Sequence, residues 1–248
     1  MNGRRGGIVP TMNNRTALVT GANKGIGKEI AKQLADVGLT VYVGSRDAGR
    51  GQRAVDEIGA DARLLMLDVT DAESISGAAE QIDTLDILVN NAGIAVDGAP
   101  PTESSLDSFR RTYETNVFGV LAVTNAFLPA LRRSSSPRIV NISSGIGSLA
   151  WSTGPHSRFP ADGAAAAYRT SKTALNALTL FYAQALAGDG FKVNVMGPGP
   201  RATDMPALTG NSGGDPAEGA AGAVLLALLP DDGPTGTFVT WDGSPIPW

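Results

Sequence analysis

Short runs of apolar and β-branched residues alternate along the chain with longer stretches in which apolar residues recur at helical spacing. Runs of the first kind predict buried strands, and stretches of the second kind predict helices. The predicted strands are residues 16–20, 39–44, 63–67, 85–89, 138–142, 192–196 and 236–240. The predicted helices are residues 28–37, a segment after Asp71, a long segment 106–131 that is interrupted or ended near Pro129, and residues 164–187.

Strands that alternate with helices indicate right-handed βαβ units, and these units build a parallel sheet covered on both faces. We therefore predict an α/β protein with a single-domain, Rossmann-like, doubly wound sheet of about seven strands. No repeat or linker divides residues 15–248, which we interpret as one catalytic domain. Residues 1–14, with Arg4 and Arg5, are expected to form a disordered leader.

Composition excludes several kinds of function. The 248 residues carry a net charge of -4, so no broad basic surface favours nucleic acid or an anionic membrane. The sequence has no cysteine and a single histidine, His156, so we expect no metal centre and no thiol nucleophile. The longest apolar run, residues 220–229, is too short to span a bilayer. We predict a cytoplasmic enzyme with no nucleic-acid or membrane partner.

A glycine-rich turn directly follows the first predicted strand. Its sequence, residues 20–27, is Thr-Gly-Ala-Asn-Lys-Gly-Ile-Gly, and a helix follows it. Glycines let the backbone approach a pyrophosphate, and a helix N-terminus offers unpaired N–H groups and the positive end of a dipole. The pattern favours dinucleotide binding, with a plain turn as the alternative.

Tyr168 and Lys172 lie four residues apart in the predicted helix 164–187, so they share one face. A phenol has a reference pKa near ~10, and an adjacent ammonium favours the phenolate and lowers that pKa. The pair could therefore move a proton. The alternative is that this spacing is an ordinary one on a helix surface.

Six motifs then occur in the order in which one enzyme family carries them. They are Thr20-Gly-x-x-x-Gly25-x-Gly27, Asn90-Asn91-Ala92-Gly93, Asn116, Ser144, Tyr168-x-x-x-Lys172 and Pro198-Gly199-x-x-x-Thr203. With these motifs the chain resembles the short-chain dehydrogenase/reductase family from about Thr16 to its C-terminal end. Residues 23–27, residues 45–47 and a lengthened loop before Tyr168 are similar to the carbonyl reductase subgroup.

The resemblance implies a nicotinamide cofactor whose ribose lies near residues 90–93 and whose adenine lies near Asp68 and Val69. Ser45 stands where relatives that prefer NAD carry an acid, and Arg46 and Lys24 could bind the 2′-phosphate of NADPH/NADP+; the alternative is that both cations are solvated. The cofactor-binding residues implied by the resemblance are Gly21, Asn23, Lys24, Gly25, Ile26, Gly27, Ser45, Arg46, Asp68, Val69, Asn90, Ala92, Gly93, Tyr168, Lys172, Pro198, Gly199, Arg201 and Thr203.

The resemblance also implies the catalytic roles. Ser144 donates a hydrogen bond to a substrate carbonyl, with Ser143 as the alternative, and Tyr168 protonates the developing alkoxide. Lys172 lowers the Tyr168 pKa and binds the nicotinamide ribose. Asn116 holds a water that links Lys172 to solvent; its alternative role is a polar group at a helix kink.

The substrate region departs from the family pattern at two places. An inserted loop near residues 145–163 contains Trp151 and Phe159, which either line an apolar pocket or anchor the loop. Relatives usually have an apolar residue where Arg201 stands, and residues 200–215 suggest a mobile substrate flap. We expect residues 245–248 to pack near that flap.

These observations favour NADPH-dependent reduction of a ketone or aldehyde to an alcohol, with a bulky or polycyclic substrate. Two alternatives stay open, namely NADP+-linked alcohol oxidation by the same residues and a non-catalytic dinucleotide-sensing protein. A nucleotide-sugar epimerase would need a different glycine spacing and a larger C-terminal domain. The partner is a small carbonyl compound, and the chain is a monomer or a homodimer.

Overall fold

Seven strands form one parallel sheet in the computed structural model, which describes residues 15–59, 61–153, 157–159, 161–201 and 213–248. The strands run in the order β3-β2-β1-β4-β5-β6-β7, and every neighbouring pair is parallel. Their bounds are β1 Thr16–Thr20, β2 Thr40–Ser45, β3 Ala62–Met66, β4 Ile87–Asn90, β5 Arg138–Ile142, β6 Lys192–Gly197 and β7 Phe238–Thr240. The predicted doubly wound α/β sheet is confirmed.

Eight α-helices in the described residues cover the sheet. Their bounds are α1 Gly25–Asp36, α2 Ala48–Ile58, α3 Ala72–Ala79, α4 Leu106–Tyr113, α5 Gly119–Leu131, α6 Leu149–Ser152, α7 Ala166–Ala185 and α8 Pro216–Ala227. No described helix has both the length and the apolar character needed to cross a membrane.

Side chains alternate between the two faces of each strand, and this alternation builds two core layers. In β1, Val19 joins the layer that contains Ile30 of α1 and Ala223 of α8. The next residue toward the N-terminus, Leu18, joins the opposite layer, with Phe127 of α5. Strand order reverses between β1 and β4, so the carboxyl ends of these two strands border the crevice in which such sheets bind ligands.

The predicted long helix 106–131 differs from the observed one. A π-helical turn, Glu114–Phe118, separates α4 from α5, whereas Pro129 lies inside α5, which continues to Leu131. The extra residue in a π turn displaces the regular hydrogen-bond ladder, and such turns recur at functional sites. Asn116 lies in this turn and is fully buried.

The helix that carries Tyr168 begins after a strained residue. Ala165 has a left-handed backbone, with φ 56° and ψ 40°, which costs a residue with a Cβ about 1–2 kcal/mol. Two backbone hydrogen bonds hold this start in place, from Ala165 N to Gly98 O at 2.9 Å and from Ala166 N to Ala99 O at 3.1 Å. The loop after β4 therefore sets where α7 begins.

Some predictions concern residues outside the described ranges. These are the leader at 1–14, the position of His156, the role of Thr203 and most of the flap at 200–215.

Candidate active site

The glycine-rich turn connects β1 to α1 and is braced by the end of β4. The Asn91 side-chain amide donates to Thr20 O at 2.9 Å and to Gly21 O at 3.2 Å. A Cβ on Gly27 would lie 2.7 Å from Gly21 O, so only glycine fits there. Lys24 is the N-cap of α1 and makes no side-chain cap hydrogen bond, and the first turn holds no acid. The first N–H groups of α1 can thus bind an anion such as a pyrophosphate.

The end of β2 presents an exposed cation beside a buried hydroxyl. Ser45 is buried, and its hydroxyl donates to Asp47 O at 2.9 Å, while Arg46 is exposed. The Asp47 carboxylate accepts from Arg50 N at 2.9 Å, caps α2 and pairs with the Arg50 side chain at 3.1 Å. The Arg50 backbone hydrogen bond contributes most to lowering the Asp47 pKa. The Asp47 carboxylate is thus occupied by contacts with α2, the helix that it caps.

The region implied for adenine and ribose lies at the ends of β3 and β4. The Asp68 carboxylate accepts a hydrogen bond from Thr70 N at 2.9 Å. The carbonyl oxygen of Val69 lies close to α5, since a Cβ added to Gly119 would be only 2.7 Å from it. The Asn90 side chain is buried and donates to Asn141 at 2.8 Å and Thr124 at 3.1 Å, so only its backbone can face a ligand.

A small space, too narrow to hold a water molecule, lies between these elements. It is lined by Thr20, Val69, Asn90, Ala92, Thr115, Gly119 and Val120. A larger groove of about 460 Å³ lies between α3 and α5 and contains none of the predicted site residues. We take the smaller space as part of the site because it adjoins the strand-order reversal.

The structure brings Tyr168, Lys172 and Asn116 together. The Lys172 ammonium lies 5.5 Å from the centre of the Tyr168 ring and donates to Ile142 O at 2.8 Å. Asn116 accepts from Ile94 N at 2.8 Å and donates to Ser171 Oγ at 3.0 Å. Gly93 lies against both side chains, since a Cβ added to it would be 3.4 Å from Asn116 Oδ1 and 3.5 Å from Lys172 Nζ. Gly93 therefore marks the point where these two side chains meet.

Burial controls the protonation of this pair. Desolvation raises the pKa of Tyr168 and lowers the pKa of Lys172 to about 8. The Tyr168 shift is opposite to the direction expected from a neighbouring ammonium alone. The reason is that Tyr168 is only 7% exposed, so removal of the phenolate from water outweighs its attraction to the lysine. Tyr168 is accordingly held in its protonated form at neutral pH.

The two serines after β5 have different surroundings. Ser143 is buried and its hydroxyl donates to Asn176 at 2.6 Å. Ser144 has an extended backbone and is partly exposed, and its side chain makes no hydrogen bond within the described residues. Only the Ser144 hydroxyl is thus available to a ligand. Asn176 is absent from the predicted site residues, although its position one helical turn after Lys172 places it on the same face of the helix.

The inserted loop places two aromatic rings beside Ser144. A Cβ on Gly145 would lie 2.8 Å from the Trp151 ring and 3.8 Å from the Phe159 ring. Trp151 also packs against the buried cluster that contains Phe238. The Trp151 ring therefore anchors the loop next to Ser144, and its role in lining a substrate pocket stays a prediction.

Arg201 directs its side chain into the protein. Its guanidinium donates to Pro198 O at 2.7 Å, pairs with Glu218 at 2.8 Å and lies 4.6 Å from the centre of the Trp241 ring. The side chain is 6% exposed, which leaves only the backbone of Arg201 to contact a cofactor. The sequence gives no direct signal for this orientation, because Glu218 and Trp241 are distant in the chain.

The C-terminal residues make described contacts on the side of Ser144, and the expectation that they pack near the flap stays a prediction. Ser148 donates to Pro247 O at 2.5 Å, and Ala150 N donates to Trp248 O at 3.0 Å. The C-terminal residues thus contact the segment that follows Ser144, whereas most of the flap lies outside the described residues.

Comparison with known proteins agrees with this geometry. The family model described as short chain dehydrogenase matches residues 15–211. Salutaridine reductase from Papaver bracteatum is 35% identical, over 90% of this chain and 93% of its own, and (+)-neomenthol dehydrogenase from Capsicum annuum is 31% identical, over 92% and 96%. The crystal structure of NADPH-bound carbonyl reductase from chicken fatty liver superposes with a TM-score of 0.80 at 29% identity, covering 95% of this chain and 100% of that one. The chain therefore belongs to the short-chain dehydrogenase/reductase family of oxidoreductases.

Proposed function

We propose that the protein is a carbonyl reductase-like enzyme that reduces a ketone or aldehyde to an alcohol with NADPH. The observation that carries the proposal is the convergence of Lys172 and Asn116 at Gly93. Tyr168 lies beside Lys172 on α7, and the Ser144 hydroxyl after β5 makes no hydrogen bond within the described residues. These groups lie at the carboxyl ends of the strands, where the uncapped N-terminus of α1 can hold a pyrophosphate.

The residues present fit a nicotinamide dinucleotide. The glycine-rich turn and α1 would hold the pyrophosphate, Asp68 and Val69 the adenine, and the backbone of residues 90–93 the ribose. Pro198, Gly199 and the Arg201 backbone would hold the nicotinamide end, together with Thr203. When bound, the cofactor supplies the hydride, and the protein supplies orientation and a proton path.

The protein's own groups act on the substrate oxygen. Ser144 donates a hydrogen bond to the carbonyl oxygen, and Tyr168 delivers its hydroxyl proton to that oxygen as negative charge develops. A phenol that burial keeps protonated is suited to this role. Lys172 holds positive charge beside the phenol, and Asn116 holds a water through which the proton is replaced from solvent.

Arg46 and Lys24 support a preference for NADPH over NADH. Both side chains are exposed near the end of β2 and the glycine-rich turn, and Ser45 stands where an acid would repel a 2′-phosphate. Asp47 is held by Arg50 and the start of α2, which lowers its influence on that phosphate.

The rings of Trp151 and Phe159 beside Gly145 support a bulky or polycyclic carbonyl substrate, because they add apolar surface next to Ser144. The reverse oxidation of an alcohol with NADP+ uses the same groups and is the alternative direction. A non-catalytic dinucleotide sensor is the alternative function, and the complete set of Asn116, Ser144, Tyr168 and Lys172 argues against it.

The decisive experiment is a screen for substrate-dependent NADPH oxidation over aldehydes, simple ketones, quinones and polycyclic ketones. We expect turnover with at least one class, and Tyr168→Phe should lose about 100-fold or more in kcat while it still binds NADPH. NADPH binding without turnover of any carbonyl or alcohol would favour the sensor. Full turnover by Tyr168→Phe would exclude Tyr168 as the proton donor.

A cytoplasmic location and the choice between monomer and homodimer stay predictions. Two exposed aromatic side chains favour the homodimer: Phe118 of the π-helical turn is 52% exposed and Phe181 of α7 is 61% exposed. Light scattering of the purified protein would measure the mass of the assembly, and cell fractionation would check the location.

A further inference from the structure

We infer that residues 244–248, the C-terminal strap, position the Ser144 donor and the Trp151 ring for the carbonyl substrate. The inference rests on the proposed function, because it assigns the strap a role in that same site. The strap itself contributes no catalytic group, so its residues are positioning residues.

The strap is fixed to the edge of the sheet. Ile246 N donates to Phe238 O at 2.8 Å, and Thr240 N donates to Ser244 O at 2.8 Å. Ile246 is 4% exposed, and the Trp248 ring lies 5.6 Å from the Phe238 ring. These contacts hold the strap against β7 on both its backbone and its side chains.

One serine connects the strap to the loop that follows Ser144. Ser148 is fully buried, and its hydroxyl donates to Pro247 O at 2.5 Å while it accepts from Trp151 N at 3.1 Å. Ala150 N donates to Trp248 O at 3.0 Å. Helix α6, which carries Trp151, is therefore held at its first turn by the strap.

The strap also reaches the backbone beside Ser144. Gly197, the last residue of β6, lies between Gly145 and the strap. A Cβ added to Gly197 would be 3.1 Å from Gly145 N and 3.2 Å from Ile246 Cδ1. On the opposite side, Gly147 O accepts from Thr173 Oγ1 at 2.9 Å, on the helix of Tyr168 and Lys172. The turn that begins after Ser144 is thus held between the strap and α7.

This arrangement has a specific consequence for catalysis. Loss of the strap frees the turn that carries Ser144 and Trp151, while the glycine-rich turn that would bind the cofactor keeps its own contacts with Asn91. We therefore expect binding and turnover of the carbonyl compound to suffer and NADPH binding to persist.

The test compares Ser148→Ala, Trp248→Ala and a deletion of residues 245–248 with two controls. Thr153→Ala removes the hydroxyl of the residue that follows α6, which donates to Leu149 O, and Leu225→Ala removes an exposed side chain of α8. We expect kcat/KM for a bulky ketone to fall about tenfold in Ser148→Ala, since a buried hydrogen-bonding group loses its partners. Both controls should retain wild-type values, and Trp248→Phe should recover most of the activity lost in Trp248→Ala.

Hydrogen exchange provides a readout that does not depend on turnover. The amides of residues 145–151 should exchange faster in Ser148→Ala and in the deletion, while those of α1 and the NADPH dissociation constant stay unchanged. Unchanged exchange and unchanged kcat/KM in Ser148→Ala would overturn the inference, even if the deletion fails to fold. Absence of carbonyl reduction by the wild-type protein would instead overturn the proposed function, and the exchange measurement would still decide the role of the strap.

Discussion

The Lys172 ammonium donates a 2.8 Å hydrogen bond to the carbonyl oxygen of Ile142, the last residue of β5. This contact joins the middle of the sheet to the helix of Tyr168, one residue before the serine pair. It keeps the ammonium in place although burial removes it from water and lowers its pKa.

The lowered Lys172 pKa predicts how activity depends on pH. Since the Lys172 pKa is about 8 in the folded protein against an ordinary value of 10.5, the ammonium loses its proton at lower pH than an exposed lysine does. We expect kcat/KM for carbonyl reduction to fall as pH rises through about 8. Lys172→Arg should move this fall to higher pH, because a guanidinium stays protonated. An identical profile in Lys172→Arg would show that another group titrates.

The same shift predicts a pH dependence of stability. The folded protein binds fewer protons at Lys172 than the unfolded chain between about pH 8 and 10.5, so this residue makes unfolding less favourable as pH rises through that range. The cost of burying the ammonium is therefore largest below pH 8. Urea unfolding at several pH values measures the free energy of unfolding of wild type and of Lys172→Met. Between about pH 8 and 10.5 this free energy should rise more steeply with pH in wild type than in Lys172→Met, which lacks the titrating ammonium.

The two serines should respond differently to removal of their hydroxyls. Ser144→Ala is expected to lower kcat by about 10- to 1000-fold if its hydroxyl binds the reacting oxygen as proposed. Stability should change little, because this hydroxyl makes no hydrogen bond within the described residues. Ser143→Ala should lower the free energy of unfolding by about 1–2 kcal/mol, because Asn176 loses its buried partner, and it should keep most of the activity. Activity assays and urea unfolding of both variants distinguish the two roles, and the reverse pattern would assign the donor to Ser143.

Arg46→Ala should weaken NADPH binding about 10- to 100-fold and change NADH binding little, because a charge-assisted contact to the 2′-phosphate is lost. Arg63→Ala is the control, since Arg63 is an exposed arginine on the neighbouring strand β3. Titration of each variant with both cofactors measures the four affinities. Equal losses for NADPH and NADH in Arg46→Ala would contradict the 2′-phosphate assignment.

Arg138 at the start of β5 is fully buried and should matter for stability alone. Its guanidinium donates to Leu229 O at 2.8 Å and 3.0 Å and pairs with Asp231 at 2.7 Å, which ties the end of α8 to the sheet. Arg138→Met should lower the free energy of unfolding by about 2–4 kcal/mol. Asp231→Asn should cost clearly less, because Asp231 is mostly exposed. Chemical denaturation tests both values, and equal costs would contradict this account.

Local patterns predicted much of the fold. The strands 16–20 and 138–142 have the bounds that the structure shows, because a buried parallel strand needs a continuous apolar run. The Tyr168 helix was also predicted, with its ends displaced by two residues. Helix α2 is absent from the predicted elements, because its apolar residues are few.

Properties that depend on long-range packing could not be predicted. The orientation of Arg201 depends on Glu218 and Trp241, and the direction of the Tyr168 pKa shift depends on how completely the fold covers the ring. The different surroundings of Ser143 and Ser144 likewise depend on where the fold places Asn176. Sequence spacing predicts the candidate groups, and their burial and hydrogen-bond partners depend on contacts that are distant in the chain.

The strap also closes an open side of the sheet. Strand β7 is the last strand in the order, and its Val239 forms an antiparallel bridge with Pro245. An uncovered edge strand can pair with a strand of another molecule and so begin aggregation, and proline, which lacks an N–H, cannot extend such a ladder. The same few residues that steady the loop after Ser144 thus shield the β7 edge from intermolecular pairing, so their loss would reduce solubility at high protein concentration.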